Sequence, residues 1–145
     1  MIDINTVFSS EEITQAAKRN AHLFCFANVV YAKAHGGSPH EYWTFIGGQF
    51  ATLWEQGQSI PAIARRAACN MVSVGCTLQA LSADESQAEA VLTGWPGPDT
   101  ARHFGLTQAE ADIVFDIFGP IAASLGCRYQ WERRGDAVIM TFHKP

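Results

Sequence analysis

The chain has 145 residues, 48% of them hydrophobic and 17% charged, with a formal net charge of −4. That length suits one α+β domain over residues 1–145, and the apolar share excludes a chain disordered throughout. The acidic balance and the lack of a long basic run exclude nucleic acid as an expected partner, since that affinity rests on Lys and Arg neutralising phosphates.

The opening residues, Met1-Ile2-Asp3-Ile4-Asn5, lack the positive region that begins a signal peptide. The longest apolar stretch, Leu23 to Ala34, is interrupted by Asn28 and Lys33 and is too short to span a bilayer. Both observations point to a cytoplasmic protein without a membrane role. Ser9-Ser10-Glu11-Glu12 has the Ser and Glu spacing of a capping box, and a helix is expected from about Ser10 to Ala34, with Asn20 a candidate break. Gly36-Gly37 stops it. Ser38-Pro39-His40-Glu41 starts a second helix, to Gln56, and a short third is expected around Pro61 to Cys69, with Arg65 and Arg66 on its wet side.

The period then changes. Val72, Val74, Cys76, Leu78 and Ala80 alternate with smaller or polar residues, which predicts a strand returning as Ala88 to Leu92 after the polar turn Ser82 to Ser86. Trp95-Pro96-Gly97-Pro98 reads as a loop, because proline removes ladder donors. A fourth helix is expected from Gln108 to Leu125, with Gly119-Pro120 its candidate kink. Cys127 to Arg133 and Ala137 to His143 form a second hairpin around Arg134-Gly135-Asp136. Helices packed on a small antiparallel sheet of two hairpins are the economical arrangement.

Several side chains invite a functional reading. Phe24, Asn28, Tyr31 and His35 share one strip of the first helix, beside a core stripe of Leu23, Phe26, Ala27, Val30 and Ala34. A ring, an amide, a phenol and an imidazole in one strip suit the wall of a ligand pocket, although apolar bodies with wet tips are also ordinary at a core boundary. Trp43 and Gln49 on the second helix would complete that wall. Gly47-Gly48 inside the same helix destabilises it by ~1 kcal/mol each relative to Ala, which points to close packing against a neighbour.

His103 follows the proline loop, where functional groups concentrate, and is the candidate general base. Asp99 or Asp112 would orient it. Asp112 and Asp116 lie opposite an apolar helical face and read as solvated. Cys76 and Cys127 suit either inert core positions or nucleophiles. His22 and Cys25 stand at i, i+3, but no second pair follows, so no metal site is expected. Haem needs one axial residue, for which His22, His35, His40 and His103 qualify, yet no CxxCH motif favours it. The irregular spacing of Cys25, Cys69, Cys76 and Cys127 predicts no disulfide.

Leu125-Gly126-Cys127, followed by Gly135-Asp136 and a strand ending at Phe142, resembles the close of two groups of small α+β domains. One is the 4-vinyl reductase and TRAPP-like group, the other the L-2-amino-thiazoline-4-carboxylate hydrolase-like family. Helices before two hairpins are similar too. Cysteines that many of these domains carry in the last strand are replaced here by Ala137, Ile139 and Met140. The resemblance implies a small-molecule-binding domain, dimeric, with enzymes among its relatives.

The resulting expectation is a homodimeric domain that binds a small, largely apolar or aromatic ligand, with its polar end held by Asn28, Tyr31, His35 or Gln49. A small hydrolase or lyase using His103 or a sheet Cys is the alternative. The cofactor, if any, is not legible.

Overall fold

A computed structural model of the chain describes residues 7–145, Pro98 by its backbone alone. The opening Met1–Asn5 lies outside the described residues. Helix α1 covers Ser10–Ala34 without interruption, so Asn20 does not break it. Its capping box is formed, with Ser9 Oγ accepting from the Glu12 amide and Glu12 accepting from the Ser9 amide at 2.7 Å. The same device opens α2, Pro39–Ala51, through Ser38 and Glu41.

Helix α2 ends five residues before the sequence pattern does. The chain turns after Ala51, burying Trp54, and the Arg66 guanidinium stands 4.3 Å from that ring. Arg66 is therefore half-buried, while Arg65 stays exposed. Helix α3, Ile60–Ser73, is longer than expected and takes up Val72. Gly75 at φ +116 and the Cys76 amide bonded to Met71 O end it, so strand β1 begins only at Thr77.

Strands β1 (Thr77–Ala83), β2 (Gln87–Thr93), β3 (Arg128–Arg134) and β4 (Ala137–His143) form one antiparallel sheet in the order β1-β2-β4-β3. Ala88, Ala90 and Leu92 of β2, with Val138, Met140 and Phe142 of β4, face inward and are buried. On β3 the alternation sets Tyr129, Trp131 and Arg133 inward and Arg128, Gln130, Glu132 and Arg134 outward. The protein is thus an α+β domain with helices on a small sheet, as its pattern implies.

The expected fourth helix is three pieces: α5 (Gln108–Asp112), a 3-10 segment (Ile113–Ile117) and α6 (Phe118–Ser124). The loop after β2 ends at Gly97, and Pro98, expected in that loop, opens one further short helix, α4, at Pro98–His103. Helix α2 lies directly on the 3-10 segment. A Cβ at Gly47 would come 2.2 Å from Ile117 O, so that glycine marks close packing, whereas Gly48 faces open space. No helix of the described residues is long and apolar enough to cross a membrane.

Candidate functional site

The polar centre of the molecule lies where β3, α5 and the loop after β2 meet. Arg133 sits at the penultimate position of β3, on the inward face. Its Nε donates to Asp112 Oδ2 at 2.6 Å and its Nη2 to Oδ1 at 2.7 Å. Nη2 also donates to Trp95 O at 2.5 Å. With its amide oxygen turned inward, Gln108 accepts from the same guanidinium at 2.6 and 3.2 Å. Asp112 is only 3% exposed. Bidentate pairing of this kind is what makes a buried charge tolerable.

Trp95 joins this centre to α1. Its indole Nε1 donates to Ala111 O at 3.0 Å, and its ring stacks on Phe26 with centroids 5.1 Å apart. Phe104 also stacks on Phe26, with centroids 5.8 Å apart. His22 meets the edge of Trp95 at 4.9 Å and donates from Nδ1 to Val74 O at 2.9 Å. Nε2 stands 3.7 Å from where a Cβ on Gly97 would be.

Outside this framework opens a cleft of ≈ 810 Å³. Pro96, Ala101 and Leu106 give it an apolar wall, and Arg102, Gln108, Arg133 and Asp136 a polar one. Size and composition both fall in the range of small-molecule sites.

The residues singled out from the sequence are distributed differently. Phe24 is 66% exposed and lines a shallow apolar groove of ≈ 310 Å³ with Asn20, Leu23, Ala27 and Phe104. Tyr31 is 65% exposed, and its ring stacks on His35 at 4.0 Å. Asn28, His35 and Gln49 are exposed, whereas Trp43 is buried with its indole Nε1 unpaired among the described residues. The six therefore do not wall one cavity. His103 is exposed at the last position of α4, edge-on to Phe104 at 5.2 Å, and is not among the residues that wall the cleft.

Asp112 and Asp116 are a correction. One continuous helix would turn both to solvent, but the 3-10 segment changes the rotation per residue and brings both inward. Asp116 accepts from Trp131 Nε1 at 2.7 Å and pairs with His40 Nδ1 at 2.6 Å. That aspartate orients an exposed imidazole, an arrangement resembling the base half of a catalytic triad.

Burial raises the Cys25 thiol to about 11 and the Cys76 thiol to about 12, and it raises Cys127 as well. Protonated thiols of this kind are the opposite of activated nucleophiles. No cluster of three or more potential ligands for a metal ion occurs among the described residues.

Comparison with protein-family models, with curated proteins and with solved structures finds no match to this chain. Geometry must therefore carry the functional reading. Of the groups that build the corner, sequence reasoning missed Arg133, Asp112 and Trp95 as partners. Arg133 had a usable signal, a charge at an inward position of the Tyr129, Trp131, Arg133 alternation.

Proposed function

We propose that this protein binds a small, partly aromatic or apolar molecule carrying a polar end, in the cleft between Pro96, Leu106 and Gln108. The observation that carries the reading is the Arg133–Asp112 pair beneath that cleft. A buried ion pair is seldom worth more than apolar packing, so its position beside a cleft of ≈ 810 Å³ with one apolar and one polar wall supports a binding role. Pro96, Ala101 and Leu106 would take the apolar body. Arg102 and Gln108 would take the polar end, because Arg133 has most of its donors already engaged.

The reading includes a pair of identical copies, supported by the exposed rings of Phe24, Tyr31, Phe45 and Phe50. It includes a cytoplasmic location, supported by four cysteines that stand as free thiols. Membership of the 4-vinyl reductase-like or L-2-amino-thiazoline-4-carboxylate hydrolase-like domains also belongs to it, supported by the helices that precede each hairpin.

The test is a native mass spectrum of the purified protein, followed by thermal-shift and calorimetric screening with aromatic carboxylates, phenols and amides. A bound compound whose affinity falls about tenfold in Arg102→Ala and in Gln108→Ala, each removing one hydrogen bond to a charged or polar end, is the expected result. Binding that those changes leave intact, but that Tyr31→Ala or His35→Ala abolishes, moves the site to α1. A bare mass with no hit in the screen removes the proposal.

A further inference from the structure

Helix α1 carries a feature that the cleft does not use. Ile13, Ala17, Asn20, Phe24, Ala27, Tyr31 and Ala34 follow one another at alternating spacings of four and three residues. That is the heptad repeat of a helix–helix seam. All seven are exposed, and no charged side chain occurs among them. Ile13 is 58% exposed, and Phe24 and Tyr31 about two-thirds. Phe104 borders this line as one wall of the groove at Asn20, Phe24 and Ala27, and leaves all seven exposed. The buried positions of α1, Phe26 and Val29, are on another side of the helix and confined to its second half.

We infer that α1 is the surface through which two copies of this chain pair, seam against seam. The inference rests on the dimer included in the functional reading and gives it a place. Three observations favour a second copy over other occupants. A four-three seam is complementary along its length only to another helix with the same repeat, and the chain itself supplies one. Large rings present ~150–250 Å² each, so Ile13, Phe24 and Tyr31, with Leu23 beside them, expose roughly 400–500 Å² per copy, and a pair buries up to roughly 800–1,000 Å², the lower edge of a specific interface. The first half of α1, from Ser10 to Asn20, is mostly exposed on every side. An unsupported helical stretch of that length is marginal in water, and a partner helix would hold it.

The order of side-chain sizes also selects an orientation. In an antiparallel pair, one register sets Phe24 against Ala27 of the second copy and Tyr31 against Asn20. Each large ring then faces a small or polar residue, and the phenol meets an amide able to hydrogen-bond it. A parallel pair would set Phe24 on Phe24 and Ala17 on Ala17, leaving crowding and gaps in alternate layers.

Sedimentation equilibrium on the full chain tests this, together with Phe24→Glu and Ala27→Glu variants. The expected wild type is a dimer at micromolar concentration. Either charge should raise its dissociation constant about 100-fold or more, because a carboxylate is then buried in a dry seam against an apolar residue with no partner for its charge. Helical circular dichroism should fall by no more than fraying of Ser10 to Asn20 accounts for, since both positions are exposed in the single chain and the rest of α1 stays packed. Gln130→Glu, on the outer face of β3, should leave the dimer intact. Phe24→Ala alone should weaken pairing, and adding Ala27→Phe should restore it by exchanging knob and hollow.

A wild type that stays monomeric at ~100 µM overturns both the dimer and its surface. A dimer indifferent to both Glu variants keeps the dimer and removes α1 from it. A monomer that floats with phosphatidylcholine vesicles assigns the seam to a lipid surface instead. A dimer that the Glu variants break but the swap does not restore overturns the antiparallel register.

Discussion

The corner around Trp95 and the outer seam of α1 depart from ordinary stability rules in opposite directions. At the corner a charged pair, Arg133 and Asp112, sits where apolar side chains would be cheaper to bury. Along α1, rings and methyl groups stand in water where polar side chains would cost nothing. The inner face of the sheet between them is conventional, with Ala90, Leu92, Val138, Met140 and Phe142 closing an apolar core. Because that core accounts for folding, the two departures are the places where a role beyond folding should be sought. One offers a shaped, polar concavity; the other offers flat apolar area. Those are the respective requirements of a small ligand and of a partner surface.

The largest expected effect comes from breaking the corner. Asp112→Ala leaves Arg133 half-buried without its carboxylate, and loss of one partner of such a pair costs ~3–5 kcal/mol. Urea unfolding should show this as a lower midpoint at unchanged slope. Replacing both partners together, Asp112→Leu with Arg133→Met, should cost less than either single change to Ala, because no buried charge is stranded. If the double change costs as much as the two singles summed, the pair acts as two independent packing groups and the corner is not electrostatic.

A second effect of intermediate size tests the frame that holds both regions. Gly47→Ala places a methyl group against the Ile117 carbonyl, so α2 must shift away from the 3-10 segment. Overpacking of this kind costs about 1–3 kcal/mol. Gly48→Ala, one residue on and facing open space, should stabilise α2 by up to ~1 kcal/mol through helix propensity. Thermal unfolding of the two variants should therefore shift in opposite directions, and shifts of the same sign would show that α2 does not sit as described.

How far the sequence could be read follows the locality of each signal. Helix starts at Ser9, Ser38 and Thr107 were legible because a capping box is complete within four residues. The start of β1 was not, because the alternation from Val72 to Ala80 runs through the end of α3 as well as the strand. Gly119-Pro120 suggested a kink, yet Pro120 falls in the first turn of α6, where its missing N–H is harmless. The true break, at Asp112–Ile113, carries neither Gly nor Pro and is set by the packing of Phe115 and by Asp116, which binds Trp131 and His40. At the site, the strip of Phe24, Asn28, Tyr31 and His35 is a helical-wheel reading, and only tertiary contacts decide whether such a face looks inward or out. Arg133 and Asp112 are 21 positions apart in sequence, and their pairing depends on the hairpin turn and the 3-10 segment together.

The smallest expected effect lies at the junction between the two regions. Lys33, near the end of α1, pairs with Glu110 of α5 at 2.5 Å. Glu110 also accepts from the Thr107 amide at 2.9 Å in its capping box. The hydrogen bond from Lys33 first, then that amide, hold its carboxyl below the ordinary 4.5. A carboxyl whose pKa is lowered by folding contributes stability that is fully present above the unfolded value and is lost as pH falls through the folded one. Wild type should therefore exceed Glu110→Gln in thermal midpoint at pH 6 to 7, and the two should converge as pH drops below about 4, the range where such a carboxyl titrates. Both side chains are substantially exposed, so the difference should be a few tenths of a kcal/mol and should shrink in 0.5 M salt. If the gap persists in acid or survives high salt, Glu110 acts through packing, and α1 is tied to α5 by something other than this charge.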